Sequence, residues 1–294
     1  MIGFTGAGID RADNLRHDPE RIAALAADPA ALILRLAGVD PVLDPSGRLE
    51  WEPLGGHDQH IFLGLSDGTP LFAPMPRIEL GRTAWSVFAI LDAMAADEAA
   101  LWGGARSLIE WHNRHGYCGI CGSATAPFRA GWGRRCEGCG AEHFPRVDPV
   151  VIMLAEHDGR VLVGRGLHYP PRRYSALAGF VEPGESIEEA VARELAEEAG
   201  IAVANVRYVA SQPWPFPGSL MIACIADSPS DAITLDATEL ADAMWVDRAE
   251  VRAALDRTPD ARFQAPPPYA IAHTLLRAWL DSGQPQLAPA APAA

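Results

Sequence analysis

Residues 179–201 read GFVEPGESIEEAVARELAEEAGI, from Gly179 to Ile201. The run from Ser186 to Ala199 has a helical pattern, and Gly200 supplies a stop just past its end. Glu194, Glu197 and Glu198 fall at i, i+3 and i+4, so a helix puts three carboxylates on one face. Like charges so placed repel, and a shared cation relieves the repulsion. A site made of carboxylate oxygens suits Mg²⁺ or Mn²⁺. Ile187, Ala190, Val191 and Leu195 form an opposing apolar stripe that would dock the helix on a sheet. Arg193 is placed to pair with Glu185 or a neighbouring carboxylate. A charge run on a helix is ordinarily a solvated face, and the flanking glycines and full spacing set this one apart.

Around that helix the pattern is of strands. Val150–Glu156 and Arg160–Gly166, joined by the turn at His157-Asp158-Gly159, read as a hairpin. Val206–Phe216 and Ser219–Ala226 are strand-like, followed by an acidic segment ending in Ala243–Asp247 and a last helix from about Ala270 to Asp281. The first 115 residues mix short β-like runs (Ala31–Gly38, His60–Ser66) with helical stretches at Trp85–Met94 and Ala99–His112. They carry no chemical motif.

Between the two halves lie Cys118-Gly-Ile-Cys121 and Cys136-Glu-Gly-Cys139. Two such knuckles separated by a hairpin-sized insert bring four thiolates around one Zn²⁺. All four positions are filled by protein, which predicts a structural zinc with no open site for water. The module is too small to fold on its own apolar core. His112, His115 and His143 flank it and are read as packing or solvated histidines. Cys224, inside the apolar run Leu220–Ala226, is read as a core thiol.

The 294-residue chain carries 24 basic and 38 acidic residues, a formal charge of −14, which argues against a protein that coats nucleic acid. A local basic site is compatible with it. Every basic residue is arginine. No apolar run reaches the length of a bilayer span, and the N-terminal stretch lacks a secretory pattern, so the expectation is a cytoplasmic protein without a membrane partner. Five cysteines in that setting argue against a disulfide framework. The expected organisation is an N-terminal domain at 1–115, a zinc ribbon at 116–146, a catalytic domain at 147–283 and a disordered Pro/Ala tail at 284–294.

The segment Gly179–Ile201 matches the signature of the Nudix hydrolase superfamily at every defined position: Gly179, Glu185, Arg193, Glu194, Leu195, Glu197, Glu198, Gly200 and Ile201. With a four-cysteine ribbon before it and Ser211-Gln-Pro-Trp-Pro-Phe-Pro-Gly-Ser219 after it, the chain resembles the NADH pyrophosphatase family. The resemblance implies an α+β / α/β fold: a variable mixed N-terminal domain, a zinc ribbon and a Nudix α/β/α sandwich. It also implies a homodimer that cuts NAD(H) into nicotinamide mononucleotide and AMP, with Mg²⁺ or Mn²⁺ for catalysis and one structural zinc per subunit. Related bacterial members remove NAD caps from RNA 5′ ends.

Carried over by position, Glu194 and Glu198 are the prime metal ligands, Glu197 and Glu239 further ones, and the Ala178 carbonyl a backbone ligand. The general base stays open among Glu194, Glu197, Glu198 and Glu239. Phe180 and Phe144 match aromatic positions that stack on substrate. Ser219, Met221 and Ala272 match positions near it.

In the motif, Pro213, Pro215 and Pro217 fix alternate φ angles and are expected to hold the chain extended, with Trp214 and Phe216 projecting to one side as a stiff platform. Gln212, Ser211 and Ser219 would offer polar groups beside them; the competing reading is core packing of the aromatics. Two departures bear on substrate preference. Gly218 stands where the family usually has Gln, and Gly131 where a Glu can contact substrate. Alternatives to an NAD(H) pyrophosphatase are a broad dinucleotide or ADP-ribose hydrolase, and a nucleic-acid-binding regulator that uses the ribbon with the Nudix fold as sensor.

Overall fold

The computed structural model describes residues 2–56, 59–78 and 85–282, so the expected tail at 284–294 lies outside the described residues. The chain forms two compact units, one of residues 1–148 with 213–220, the other of 149–212 with 221–294.

In the first unit, helix α1 (Pro19–Ala26) starts at an Asp18 cap whose carboxylate accepts from the backbone N–H groups of Glu20 and Arg21. Strands β1 (Leu32–Leu34), β2 (Leu36–Ala37), β3 (Asp40–Pro41), β4 (Trp51–Pro53), β5 (His60–Ser66) and β6 (Thr69–Pro74) follow. Four of them form a sheet in the order β4-β1-β6-β5, while β2 and β3 pair separately. Ile33, Leu54, Phe62 and Phe72 fill its core.

Helices α2 (Trp85–Ala93) and α3 (Ala96–Arg114) come next. Helix α3 buries Trp102, Leu108 and Ile109, together with the charged Arg106 and Glu110. A buried guanidinium is tolerated only with full pairing. Arg106 contacts Glu110 at 2.7 Å and Asp40 at 3.2 Å, and donates to the Pro215 carbonyl at 3.0 Å.

The ribbon strands β7 (Thr125–Phe128), β8 (Gly133–Cys136) and β9 (Glu142–His143) form an antiparallel sheet. The sequence divides this module from the N-terminal domain at residue 115, but in the fold they share one unit. Trp132 Nε1 donates to the Phe62 carbonyl at 2.7 Å, and the Arg16 guanidinium lies 3.7 Å above the Trp132 ring. The ribbon thus borrows an apolar surface that its own length cannot supply.

The second unit is built on a six-stranded sheet, with strands β10 (Asp148–His157), β11 (Arg160–Gly166), β12 (Leu177–Phe180), β13 (Ala204–Trp214), β14 (Ser219–Asp227) and β15 (Leu240–Val246). The order is β13-β14-β10-β11-β15, and β12 pairs antiparallel with β10. The hairpin expected at residues 150–166 is β10–β11. Helix α4 (Ile187–Ala199) carries the glutamates, and α5 (Arg248–Leu255) and α6 (Ile271–Ser282) pack on each other. Val151, Met153, Leu162, Val191, Leu195 and Cys224 are inaccessible. Ile187, expected in the buried stripe of α4, is 36% exposed at the first helical position. The short α1 and α5 went unread in the sequence, because eight-residue helices give too few turns for a clear period.

Candidate active site and zinc centre

Helix α4 is fixed at both ends by local chemistry. Ser186 and Glu189 form a reciprocal capping box, and Gly200 closes the helix in the left-handed region at φ 68°. The Gly200 N–H donates to the Ala196 carbonyl at 3.0 Å, the bond of an αL stop, and the Ile201 N–H to the Leu195 carbonyl at 3.0 Å. The loop before β15 covers the same end, where the Asp236 N–H donates to the Glu198 carbonyl at 2.9 Å.

Glu194 and Glu198 are buried on one face of α4, and Glu197 is exposed. Strand β12 brings Gly179 against that face. A Cβ built there would sit 1.9 Å from the Glu194 carboxylate, so glycine is needed for that carboxylate to keep its place. Arg193 ties the signature together. Its guanidinium meets Glu185 at 2.6 and 3.0 Å, Glu194 at 2.9 Å and Glu197 at 2.9 Å, and donates to the Phe180 carbonyl at 2.9 Å. Arg193 holds the Glu185 carboxyl below its ordinary range.

Burial pushes Glu194 upward. It raises Glu198 to about 7, with Glu194, Glu239 and Asp236 adding repulsion. Negative charge thus accumulates where no ion pair among the described residues answers Glu198. That charge pattern fits an oxygen-ligated divalent cation at Glu194 and Glu198; Glu197 and Glu239 are exposed, and Ala178 precedes Gly179 in β12.

The four cysteines of the ribbon form a second, separate centre. Among the described residues they are the one group of potential ligands whose donor atoms all lie within 4.8 Å of one another. Cys118 and Cys139 are 3.8 Å apart and Cys121 and Cys136 3.4 Å, against about 3.8 Å for the edge of a tetrahedron with 2.3 Å zinc–sulfur arms. The Cys121 and Ile120 backbone N–H groups lower Cys118 to about 6, which favours the thiolate a metal needs.

His143 Nε2 lies 3.3 Å from Cys118 Sγ and completes the surroundings of that sulfur. His112 and His115 are turned to the Gly131 and Trp111 carbonyls. Cys224 is buried in the sheet, its thiol pushed up to about 11 by desolvation.

The proline motif departs from its expected extended form. After Trp214 the chain turns, the Phe216 N–H donates to the Trp214 carbonyl at 2.9 Å, and the Phe216-Pro217 bond is cis. Trp214 and Phe216 lie 5.2 Å apart, within an aromatic cluster with Phe4, Phe88 and Trp102. They are partly buried packing residues of the first unit, closer to the core reading than to a bare platform.

Gln212 is also turned inward. It is inaccessible, its Nε2 donates to the Tyr269 carbonyl at 2.8 Å, and its Oε1 accepts from the Ile271 N–H at 2.8 Å. Ala272 is buried in α6, Ser219 is buried, Met221 is partly so, and Pro213 and Pro217 are exposed. Phe180 is 60% and Phe144 49% exposed, leaving both rings open to a ligand.

At position 131 a Cβ would meet Ile61 at 3.0 Å, with φ at +89°, so a glutamate there would be strained. Gly218 is different: its nearest neighbour is the Arg146 carbonyl oxygen at 3.5 Å, which leaves room for a side chain. The restriction at position 131 has no local sequence signal, because Ile61 is distant along the chain.

A NUDIX domain model matches residues 145–266, and an NADH pyrophosphatase zinc ribbon domain model matches residues 113–144. The NAD-capped RNA hydrolase NudC of Mycobacterium bovis (strain BCG / Pasteur 1173P2) is 38% identical over 92% of this chain and 92% of its own. This chain belongs to the NudC family of Nudix hydrolases. Another relative, the human NAD-capped RNA hydrolase NUDT12, is 45% identical over 62% of this chain, which spans 42% of that protein. A NUDIX hydrolase from Nitrosomonas europaea superposes with a TM-score of 0.45 at 20% identity, over 57% of this NudC-family chain and 94% of its own. Among the described residues of this hydrolase no helix is long and apolar enough to cross a membrane.

Proposed function

We propose that this chain hydrolyses the pyrophosphate bond of NAD(H) to nicotinamide mononucleotide and AMP, and removes NAD caps from RNA 5′ ends. The observation that carries this reading is the complete signature folded so that the Gly179 backbone receives the Glu194 carboxylate with Glu198 on the same helix face. The likeness to the mycobacterial and human NAD-capped RNA hydrolases supports the choice of NAD.

Glu194 and Glu198, helped by Glu197, Glu239 and the Ala178 carbonyl, would hold Mg²⁺ or Mn²⁺. A divalent cation bound there supplies neutralisation of the pyrophosphate oxygens and activation of the attacking water. Arg193 fixes Glu185, Glu194 and Glu197 beforehand, so the carboxylates need little reorganisation when substrate arrives. A carboxylate among Glu194, Glu197, Glu198 and Glu239 takes the proton from water. The exposed Phe180 and Phe144 rings are suited to stacking on a base or on nicotinamide.

In this reading residues 147–283 form the catalytic domain, and one zinc per subunit in the ribbon at 116–146 is structural. The N-terminal domain at 1–115 completes a subunit that works as a cytoplasmic homodimer.

Mass spectrometry of NADH incubated with the zinc-loaded protein and Mn²⁺ tests the reading. Reduced nicotinamide mononucleotide and AMP are expected, and the absence of both overturns it. A broader dinucleotide or ADP-ribose hydrolase is a second reading, favoured by the crowding against Ile61 at Gly131, which disfavours a glutamate there. Comparable kcat/KM for NADH, ADP-ribose and diadenosine substrates would establish it instead.

A further inference from the structure

A cavity of about 330 Å³ opens in the first unit between the end of α3, the segment around Arg77 and the ribbon. Arg77, Arg134, His112, Thr125, Tyr117 and Gln59 are among its walls, and no Asp or Glu is among the described residues lining it. In a chain of formal charge −14, a cavity with two arginines and no carboxylate is a local reversal of sign.

Among the described residues, Arg134 is held by neutral groups. Its Nε donates to Thr125 Oγ1 at 2.7 Å, Nη2 to the Thr125 carbonyl at 2.5 Å, and Nη1 to His112 Nδ1 at 3.0 Å. His112 can accept because its other nitrogen, Nε2, lies 2.7 Å from the Gly131 carbonyl and so carries the ring proton. Burial lowers His112 to about 4, which keeps it neutral. Of the five guanidinium N–H groups, one on each Nη of Arg134 is left for a ligand.

The backbone on both sides of Arg77 is fixed as well. Asn113 Nδ2 donates to the Pro76 carbonyl at 2.9 Å, and Asn113 Oδ1 accepts from the Ile78 N–H at 3.1 Å. Arg77 itself is exposed and makes no ion pair among the described residues. Two cations at one cavity, with no carboxylate among the described residues that line it, are unfavourable until an anion joins them. Beside them Tyr117 keeps 77% of its surface open, an aromatic face free to take a base.

We propose that this cavity binds a phosphate group of a nucleotide chain, between Arg77 and the free N–H groups of Arg134, with the Tyr117 ring stacking on an adjacent base. Planar guanidinium donors match phosphate oxygens in geometry as well as charge. The site is independent of the glutamate face: it would bind an uncapped strand that offers no pyrophosphate to cut.

The test uses the full-length zinc-loaded protein without added divalent cation, and a short fluorescent single-stranded RNA with a 5′-hydroxyl. Wild type, Arg77→Gln, Tyr117→Ala and the charge-matched control Arg252→Gln are titrated across a salt series. Arg77→Gln is expected to weaken binding about tenfold, and to reduce the magnitude of the slope of log affinity against log salt by about 0.7, the loss of one phosphate contact on a single strand. Tyr117→Ala should weaken binding without altering that slope, and Arg252→Gln should do neither.

NADH turnover of Arg77→Gln should equal wild type. Competition by inorganic phosphate or AMP distinguishes the sources: displacement of RNA only by unlabelled RNA supports a strand site. Displacement by either small anion at equal phosphate concentration overturns it in favour of a site for free phosphate. Equal weakening in Arg77→Gln and Arg252→Gln, or in neither, overturns the proposal altogether.

Discussion

The Glu194 carboxylate occupies the space that a side chain at Gly179 would need, with its Cδ and Oε1 both 1.9 Å from an ideal Cβ at that position. The first residue of the signature is therefore tied to the helix that follows it by close approach. Gly179→Ala should push Glu194 away while leaving the capping box and the core of α4 untouched. A shift of about 1 Å in a positioned group costs on the order of 10²-fold in rate. Turnover of NADH should fall by about that factor with an unchanged circular dichroism spectrum, and full activity would show that the carboxylate position does not matter.

Glu198→Gln keeps the shape of a buried side chain and removes a charge that Glu194, Glu239 and Asp236 all oppose. The metal-free variant should be at least as stable as wild type. Its turnover should drop roughly 10²–10³-fold, the scale seen when one electrostatic contributor is removed. Titration calorimetry with Mn²⁺ should show weakened binding. Wild-type affinity together with wild-type turnover would remove Glu198 from the site.

Cys121→Ser breaks the sulfur quartet at one corner. Zinc content should fall below stoichiometric and the thermal transition should move down, because the metal's binding energy is part of the folding energy of so small a module. Metal analysis and melting curves of the same samples check this. A metal-free protein as stable as wild type would refute a structural zinc.

His112 is neutral in the fold, with a pKa lowered from 6.5 to about 4 by burial. Below pH 6.5 the unfolded chain takes up a proton that native His112 refuses. Stability is therefore lost as pH falls from 6.5 towards 4, by at most about 3 kcal/mol, and no further below that. Denaturant midpoints at pH 7 and pH 5 for wild type and His112→Gln measure the difference. The variant should lack this part of the acid sensitivity, and identical pH dependence would place His112 in solvent.

Gly131 and Gly218 answer differently to the residues expected of relatives. Gly131→Glu forces a side chain into Ile61 at a φ of +89°, and strain of that kind costs about 1–3 kcal/mol. Gly218→Gln meets nothing closer than 3.5 Å and should alter stability by less than about 0.5 kcal/mol. Paired melts decide between these outcomes, and comparing KM for NADH shows whether a Gln at 218 adds a contact.

Much of the site was legible in the sequence because its spacing is local. Helical periodicity places Glu194 and Glu198 on one face, Ser186 and Gly200 mark the ends of α4, and two CxxC knuckles predict the quartet. The proline motif was less legible. Trp214 and Phe216 read as a platform because prolines favour extended backbone, yet the chain turns at Pro215, where Arg106 donates to its carbonyl and Phe4 and Phe88 supply rings to pack against. Gln212 read as a substrate contact because it is polar. Its partners, Tyr269 and Ile271, lie far along the chain.

Residue order alone carries the chemistry of the chain: which helix bears the carboxylates, which residues start and stop it, and which four thiols can hold zinc. Those are consequences of periodicity and short-range hydrogen bonding, whose range is a few residues. Folding adds that the ribbon meets the N-terminal half through Trp132 and Phe62, and that a side chain at Gly131 would press on Ile61 at a strained φ. It also brings Arg77 and Arg134 to one cavity with no carboxylate among the described residues that line it. Such outcomes depend on distant segments competing for the same volume and the same unpaired charge, and no local pattern encodes which of them will meet.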